Sequence, residues 1–373
     1  MYFRKLPTSL LSTAFGIALG VTGCGGMDGS LDLDEEGAGG GSGGDGSGAG
    51  VHVGQGGDGS GAGVTGGGAG TTGGGAGTTG GGAGSGEGGT PSGGGGSDPG
   101  GTCGGQPPAD PSCYWENVCP DASLGDLEQS YSPGGWLSTT LEMLDRRYPS
   151  AKCLVDMYQN DAGNYADSSS FAALAESLMT VAHEETHGYD YEHANWGSTF
   201  AYYARCDLTM TTPWIDGFGR SEILPLVATS STNLYDGTYL TGQQGTYGFS
   251  ELLDEWNAYL NGMAAIALVG DAVDVFGISG TDGALAFAYY VELYLHLART
   301  QYPAVYAEIT GSPQVVDLLR LQWNRMHFFL SYAEKFSYLS IEADGIKQVL
   351  YQQDNLDELT MAVGTPMAPG NCN

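Results

Sequence analysis

The sequence predicts an α+β fold with helix in the majority. Three observations carry this: helical periodicity in several segments, one strand-like stretch, and a Gly-rich loop region between them. Residues 136–148 read as a first helix. Residues 171–182 are rich in Ala, Leu and Met, contain no Gly or Pro, and place apolar side chains at 171, 174, 175, 178 and 182, a period near 3.6. Ser168, Ser169 and Ser170 offer N-caps to this helix, and Gly188 offers a C-terminal stop. Residues 200–210 have the aromatic, alternating character of a strand. Residues 217–248 are loop-rich, and helices are expected again at 249–260, 284–299 and 313–337.

The end of the second helix reads His183-Glu184-Glu185-Thr186-His187, the pattern H-E-x-x-H. Histidines four residues apart sit one above the other on a helical face, so both imidazoles can reach one metal ion. The glutamate after the first histidine then points at the open position of a Zn²⁺ ion, where it can take a proton from bound water. The plainer reading is a pair of surface histidines at a helix end.

With Val181-Ala182-His183-Glu184-Glu185-Thr186-His187-Gly188 the chain resembles the zincin metallopeptidases. The resemblance implies a zincin-like core with a helical C-terminal lobe, a Zn²⁺ cofactor, a peptide or protein substrate, and a third protein ligand. Two candidates compete for that place. His183, His187 and His193 stand at offsets 0, 4 and 10, as in H-E-x-x-H-x-x-G-x-x-H, but Asp190 replaces the glycine that lets the chain turn back. That pattern also needs a methionine turn, for which Met210 is the nearby candidate. The other candidate is Glu255 in Glu251-Leu252-Leu253-Asp254-Glu255-Trp256-Asn257-Ala258-Tyr259-Leu260, similar to the glutamate helix of gluzincins. There Ala258 would let the two helices pack closely, and Asp254 and Glu251 could hold the second nitrogens of the imidazoles. Glu255 is favoured, with His193 and Glu251 kept as alternatives. The resemblance also suggests a His or Tyr from the later lobe as oxyanion stabiliser. His327, among Trp323, Met326, Phe328 and Phe329, could serve, although a packed core histidine is the simpler account of it and of His296.

The N-terminus reads as export. Arg4 and Lys5 precede an apolar run that ends in Val21-Thr22-Gly23-Cys24, which resembles a bacterial lipobox. Residues 1–23 are expected to be a lipoprotein signal peptide, with Cys24 lipidated and holding the protein to a membrane. Gly25 is not the Asp that retains such proteins at the inner membrane, which favours the outer membrane or cell surface. Residues 24–102 are a Gly-rich tether, with a reach of roughly 50 Å for a flexible coil of this length. Residues 103–373 are the expected catalytic domain, and all Lys and Arg beyond the signal lie there. The formal net charge of −31 argues against nucleic acid as a partner. Apart from Cys24, the six cysteines Cys103, Cys113, Cys119, Cys153, Cys206 and Cys372 suggest three disulfides in an oxidising compartment, with Cys113 and Cys119 stapling a small loop. The expected function is a membrane-anchored zinc peptidase with Glu184 as general base. The alternative is an inactive surface lipoprotein that serves as a binding or structural module.

Overall fold

The computed structural model describes residues 113–228, 233–273, 280–365 and 367. The signal, Cys24, the tether, Cys103 and Cys372 lie outside the described residues. The helices are α1 Gly125–Ser130, α2 Trp136–Arg147, α3 Pro149–Met157, α4 Gln159–Ala162, α5 Phe171–Glu192, α6 Asn233–Tyr239, α7 Phe249–Leu268, α8 Gly280–Gln301, α9 Pro303–Gly311, α10 Pro313–Ala333, α11 Ala343–Leu350 and α12 Gln353–Val363. Two strands, β1 Thr199–Arg205 and β2 Leu208–Pro213, follow α5. The molecule is therefore helix-rich with a small antiparallel sheet. Among the described residues no helix is long and apolar enough to cross a membrane.

The fold is organised around α7. Its residues Phe249 to Leu268 are all buried, because it packs against α5, α8 and α10, and its polar residues Ser250, Glu251, Asp254, Glu255, Asn257 and Asn261 are enclosed with the apolar ones. Close approach to α5 depends on small residues. Ala258 is fully buried, as its size suggests, and Gly262 completes the contact one turn later. A Cβ on Gly262 would lie 2.8 Å from the Met179 carbonyl oxygen and 3.5 Å from Cβ of His183. Gly283 does the same service on the other side, where a Cβ would collide with the Tyr259 ring. Both chemistry-bearing helices are thus held at backbone contact distance.

Helix α5 starts where its serines suggest: the Ser170 hydroxyl accepts from the Ala173 amide at 3.1 Å. It does not stop at Gly188 but runs to Glu192. The extra turn is stabilised from outside the helix. Asp190 is buried and accepts hydrogen bonds from the Tyr203 amide at 2.6 Å and from Asn257 Nδ2 at 2.9 Å. Those tertiary bonds outweigh the weak helix propensity of one glycine.

The strand expected over 200–210 is a hairpin. Strands β1 and β2 pair antiparallel from Thr199 opposite Pro213 to Arg205 opposite Leu208, with an irregularity between Tyr203 and Arg205. The chain reverses at Cys206 and Asp207, where Arg205 Nε donates to the Asp207 carboxylate at 2.6 Å. No Gly or Asn marks this turn, so the aromatic run conceals it. A Cys153–Cys206 disulfide fastens the turn to α3. Cys113 and Cys119 are each disulfide-bonded as well, but no bond between these two is found among the described residues, so the expected staple is not shown.

One buried group conflicts with stability. Glu292 on α8 is fully buried, and neither carboxylate oxygen has a hydrogen-bond partner among the described residues. Burial, helped by nearby Glu358, holds its pKa well above the usual carboxylate range. The folded state therefore binds this proton more tightly than the unfolded chain does. Its stabilising effect is complete below the ordinary Glu pKa and is lost as pH rises towards the folded value. Glu292→Met is expected to stabilise the domain by about 1–3 kcal/mol at neutral pH, and the gain should grow between pH 5 and 8. Thermal melts of both proteins across that range check it; a variant that melts lower throughout would contradict it.

Candidate metal centre

Three side chains from two helices converge beside the α5–α7 contact. The last turns of α5 present His183 and His187, and the middle of α7 presents Glu255. The two Nε2 atoms are 3.1 Å apart, and Glu255 Oε2 lies 3.5 Å from His187 Nε2 and 4.0 Å from His183 Nε2. One ligand atom from each falls within 4.8 Å of the others. The three side chains are 8%, 12% and 7% exposed, so the cluster is nearly dry.

The surroundings orient each group. Asp254 Oδ2 is 2.8 Å from His187 Nδ1, which directs the opposite nitrogen, Nε2, at the cluster. Asp254 in turn interacts electrostatically with buried Asp190, which is fixed by Tyr203 and Asn257. A chain of buried contacts thus runs from the hairpin through Asp190 and Asp254 to His187. Glu251, the candidate for the other imidazole, makes no hydrogen bond to His183, and its Oε2 is buried without a partner among the described residues. His183 packs edge-on against the Tyr259 ring at 4.4 Å, and the Tyr259 hydroxyl meets that of Tyr239 at 2.7 Å. On the far side of Glu255, Arg220 Nη2 lies 3.5 Å from Oε1.

Charge is distributed unevenly over the cluster. Burial, with His187 beside it, lowers the His183 pKa to about 3. Burial also opposes charge on His187, but the Asp254 and Glu255 carboxylates override it and hold this pKa well above the usual histidine range. Glu255 is likewise penalised by burial, yet His187, Arg220 and His183 bring it down to about 2. Without a metal the site is thus one neutral imidazole, one imidazolium and one carboxylate. A divalent cation would displace the His187 proton, so binding should release protons and weaken as pH falls.

Glu184 follows His183 on α5, is partly exposed, and interacts electrostatically with His187, Glu255 and Asp254. Burial, reinforced by Glu255 and Asp254 and opposed by His187, raises its pKa. A carboxylate that holds its proton more readily than usual suits proton transfer near neutral pH.

Other expected positions fall elsewhere. His193 lies at the C-terminal cap of α5, exposed, with Nδ1 2.9 Å from the Tyr189 carbonyl and its ring stacked on Tyr189. Because α5 continues through Asp190, ten residues of helix separate His193 from His183, about 15 Å along the axis. Met210 sits within β2 opposite Tyr202, not in a turn. His327 packs between Trp323 and Tyr351 on the α10–α11 side. Burial, with Lys347 nearby, lowers its pKa to about 4, and none of its ring contacts is a cluster residue. His296 pairs with Glu358 at 2.8 Å. Sequence reading missed Arg220 and noted Asp190 only as the residue in place of the pattern's glycine, not as the anchor of the last turn of α5. Arg220 did carry a faint signal, as the only Lys or Arg between Arg205 and Arg299.

Compared with protein families, with curated proteins and with solved structures, the chain matches none. The reading of the site therefore rests on its own chemistry. Two imidazoles and one carboxylate are the donor set of catalytic zinc sites that keep a fourth position open. Glu255 Oε2, buried without a hydrogen-bond partner among the described residues, lies 3.5 and 4.0 Å from the two imidazole Nε2 atoms and fits such an ion.

Proposed function

We propose that this protein is a zinc-dependent metallopeptidase, with a zincin-like active centre, that acts outside the cytoplasm from a lipid anchor at Cys24. The observation that carries the reading is the convergence of His183, His187 and Glu255 within 4.8 Å, with Glu184 near enough to interact electrostatically with His187, Glu255 and Asp254. A structural zinc site is normally closed by four protein ligands and needs no base. Here three ligands and an adjacent carboxylate of raised pKa favour catalysis.

Zinc, when bound, would acidify a water molecule and polarise the scissile carbonyl. His183, His187 and Glu255 would hold it, and Asp254 would fix the His187 ring. Glu184 would take the proton of the attacking water and return it to the leaving amine, so that one carboxylate serves both halves of the reaction. The lipid anchor and the tether would keep this centre at the outer membrane or cell surface while leaving it free to reach peptide or protein substrates.

The test is elemental analysis of the purified protein together with digestion of a diverse peptide mixture. One zinc per chain, and cleavage lost in a chelator and restored by zinc, is expected. Stoichiometric zinc with no cleavage of any peptide would contradict the enzymatic reading and favour the binding module. Absence of zinc binding would contradict the centre itself.

A further inference from the structure

Arg220 is fully buried, and a guanidinium in a protein interior is costly unless its position does something. The segment between β2 and α7 builds a dedicated cradle for it. Arg220 Nε donates to the carbonyls of Tyr239 and Gln244, both at 2.8 Å, and Nη2 donates to the Gln244 side chain. The rings of Tyr239, Tyr247 and Phe287 surround the charge, with centroids 5.4 to 6.0 Å from Cζ. Nη1 is buried with no hydrogen-bond partner among the described residues. The scaffold thus leaves a donor unsatisfied, yet anchors the group so that Nη2 is 3.5 Å from Glu255 Oε1. The other oxygen of that carboxylate, Oε2, is the one that faces His183 and His187.

We propose that Arg220 is a positioning residue that holds Glu255 Oε1 back, so that Glu255 offers Oε2 alone to the metal. The inference rests on the metal-centre reading above and deepens it. A carboxylate free to rotate can bind zinc through one oxygen or through both. Two-oxygen binding would fill the position that water or substrate must occupy. A fixed cation on Oε1 disfavours that rotation. Arg220 also repels a divalent ion, which acts in the opposite direction. The carboxylate lies between the two charges, so orientation should outweigh repulsion.

Arg220→Met and Arg220→Lys in the full chain separate these effects. Zinc affinity is measured by competition with a chelator, and geometry by the visible absorption of the Co²⁺-loaded protein. Arg220→Met should lose 10–100-fold in zinc affinity, the usual loss for a residue that orients a ligand, whereas a value within about threefold of wild type would count against the role. Its cobalt bands should also weaken, as coordination rises from four to five when Oε1 is released. Lysine keeps the charge without the rigid fork, so Arg220→Lys should fall between methionine and wild type in both readouts. A folded Arg220→Met that binds zinc as well as wild type or better, with an unchanged cobalt spectrum, would overturn the proposal. Should the methionine variant fail to fold, wild-type affinity and spectrum in Arg220→Lys would overturn it equally. If the wild-type protein takes up neither metal, the metal-centre reading fails instead.

Discussion

Replacing Glu184 with glutamine is expected to abolish peptide hydrolysis while zinc stays bound. Glutamine matches the shape of glutamate but cannot accept a proton from water at neutral pH. A positioned general base typically contributes 10²–10⁴-fold, and kcat should fall by about that factor or more. Zinc affinity should change little, because Glu184 is not among the three converging ligand groups. The pH profile supplies a second readout. Burial lifts the Glu184 pKa, so the acid limb of kcat/KM in the wild-type enzyme should lie above the ordinary glutamate range, with activity rising as the carboxyl loses its proton. That limb should be absent from whatever activity remains in Glu184→Gln. Loss of zinc together with activity would show that the residue holds the site together and is not a base.

Much of this centre was legible because helical spacing is a local rule. The pair His183 and His187 needs only one regular helix to share a face, and residues 171–182 specify that helix by period and cap. Glu255 was legible from its neighbours: Leu252, Leu253, Trp256 and Tyr259 mark its helix as a core element, and an acidic residue in a core needs a reason. Distance effects were not legible. Nothing near Gly188 shows that α5 continues, since the bonds that extend it come to Asp190 from Tyr203 and Asn257, 13 and 67 residues away. The same blindness hid the hairpin at Cys206 and Asp207, whose turn lacks the usual glycine and is fastened by a disulfide to Cys153. Arg220 was hidden because its role depends on a loop folding over α7. The short helices α1, α3, α4, α9, α11 and α12 also escaped notice, being too brief for a period to stand out.

The central claim is that Glu255, and not His193, completes the metal site, and zinc titration of two single variants tests it most directly. Glu255→Ala removes the only anionic member of the converging set, leaving two imidazoles with Asp254 behind one of them. Its zinc affinity should fall by more than the 10–100-fold typical of residues that merely orient a ligand, and activity should fall with it. His193→Ala removes an exposed ring at the C-terminal cap of α5 that is stacked on Tyr189, about 15 Å along the helix axis from His183. Its zinc content should stay near one per chain. Both titrations belong at a single pH, because protons compete for the same imidazoles. Near-stoichiometric zinc in His193→Ala with severe loss in Glu255→Ala is the predicted result; normal zinc binding by Glu255→Ala, or loss of zinc in His193→Ala, would contradict it.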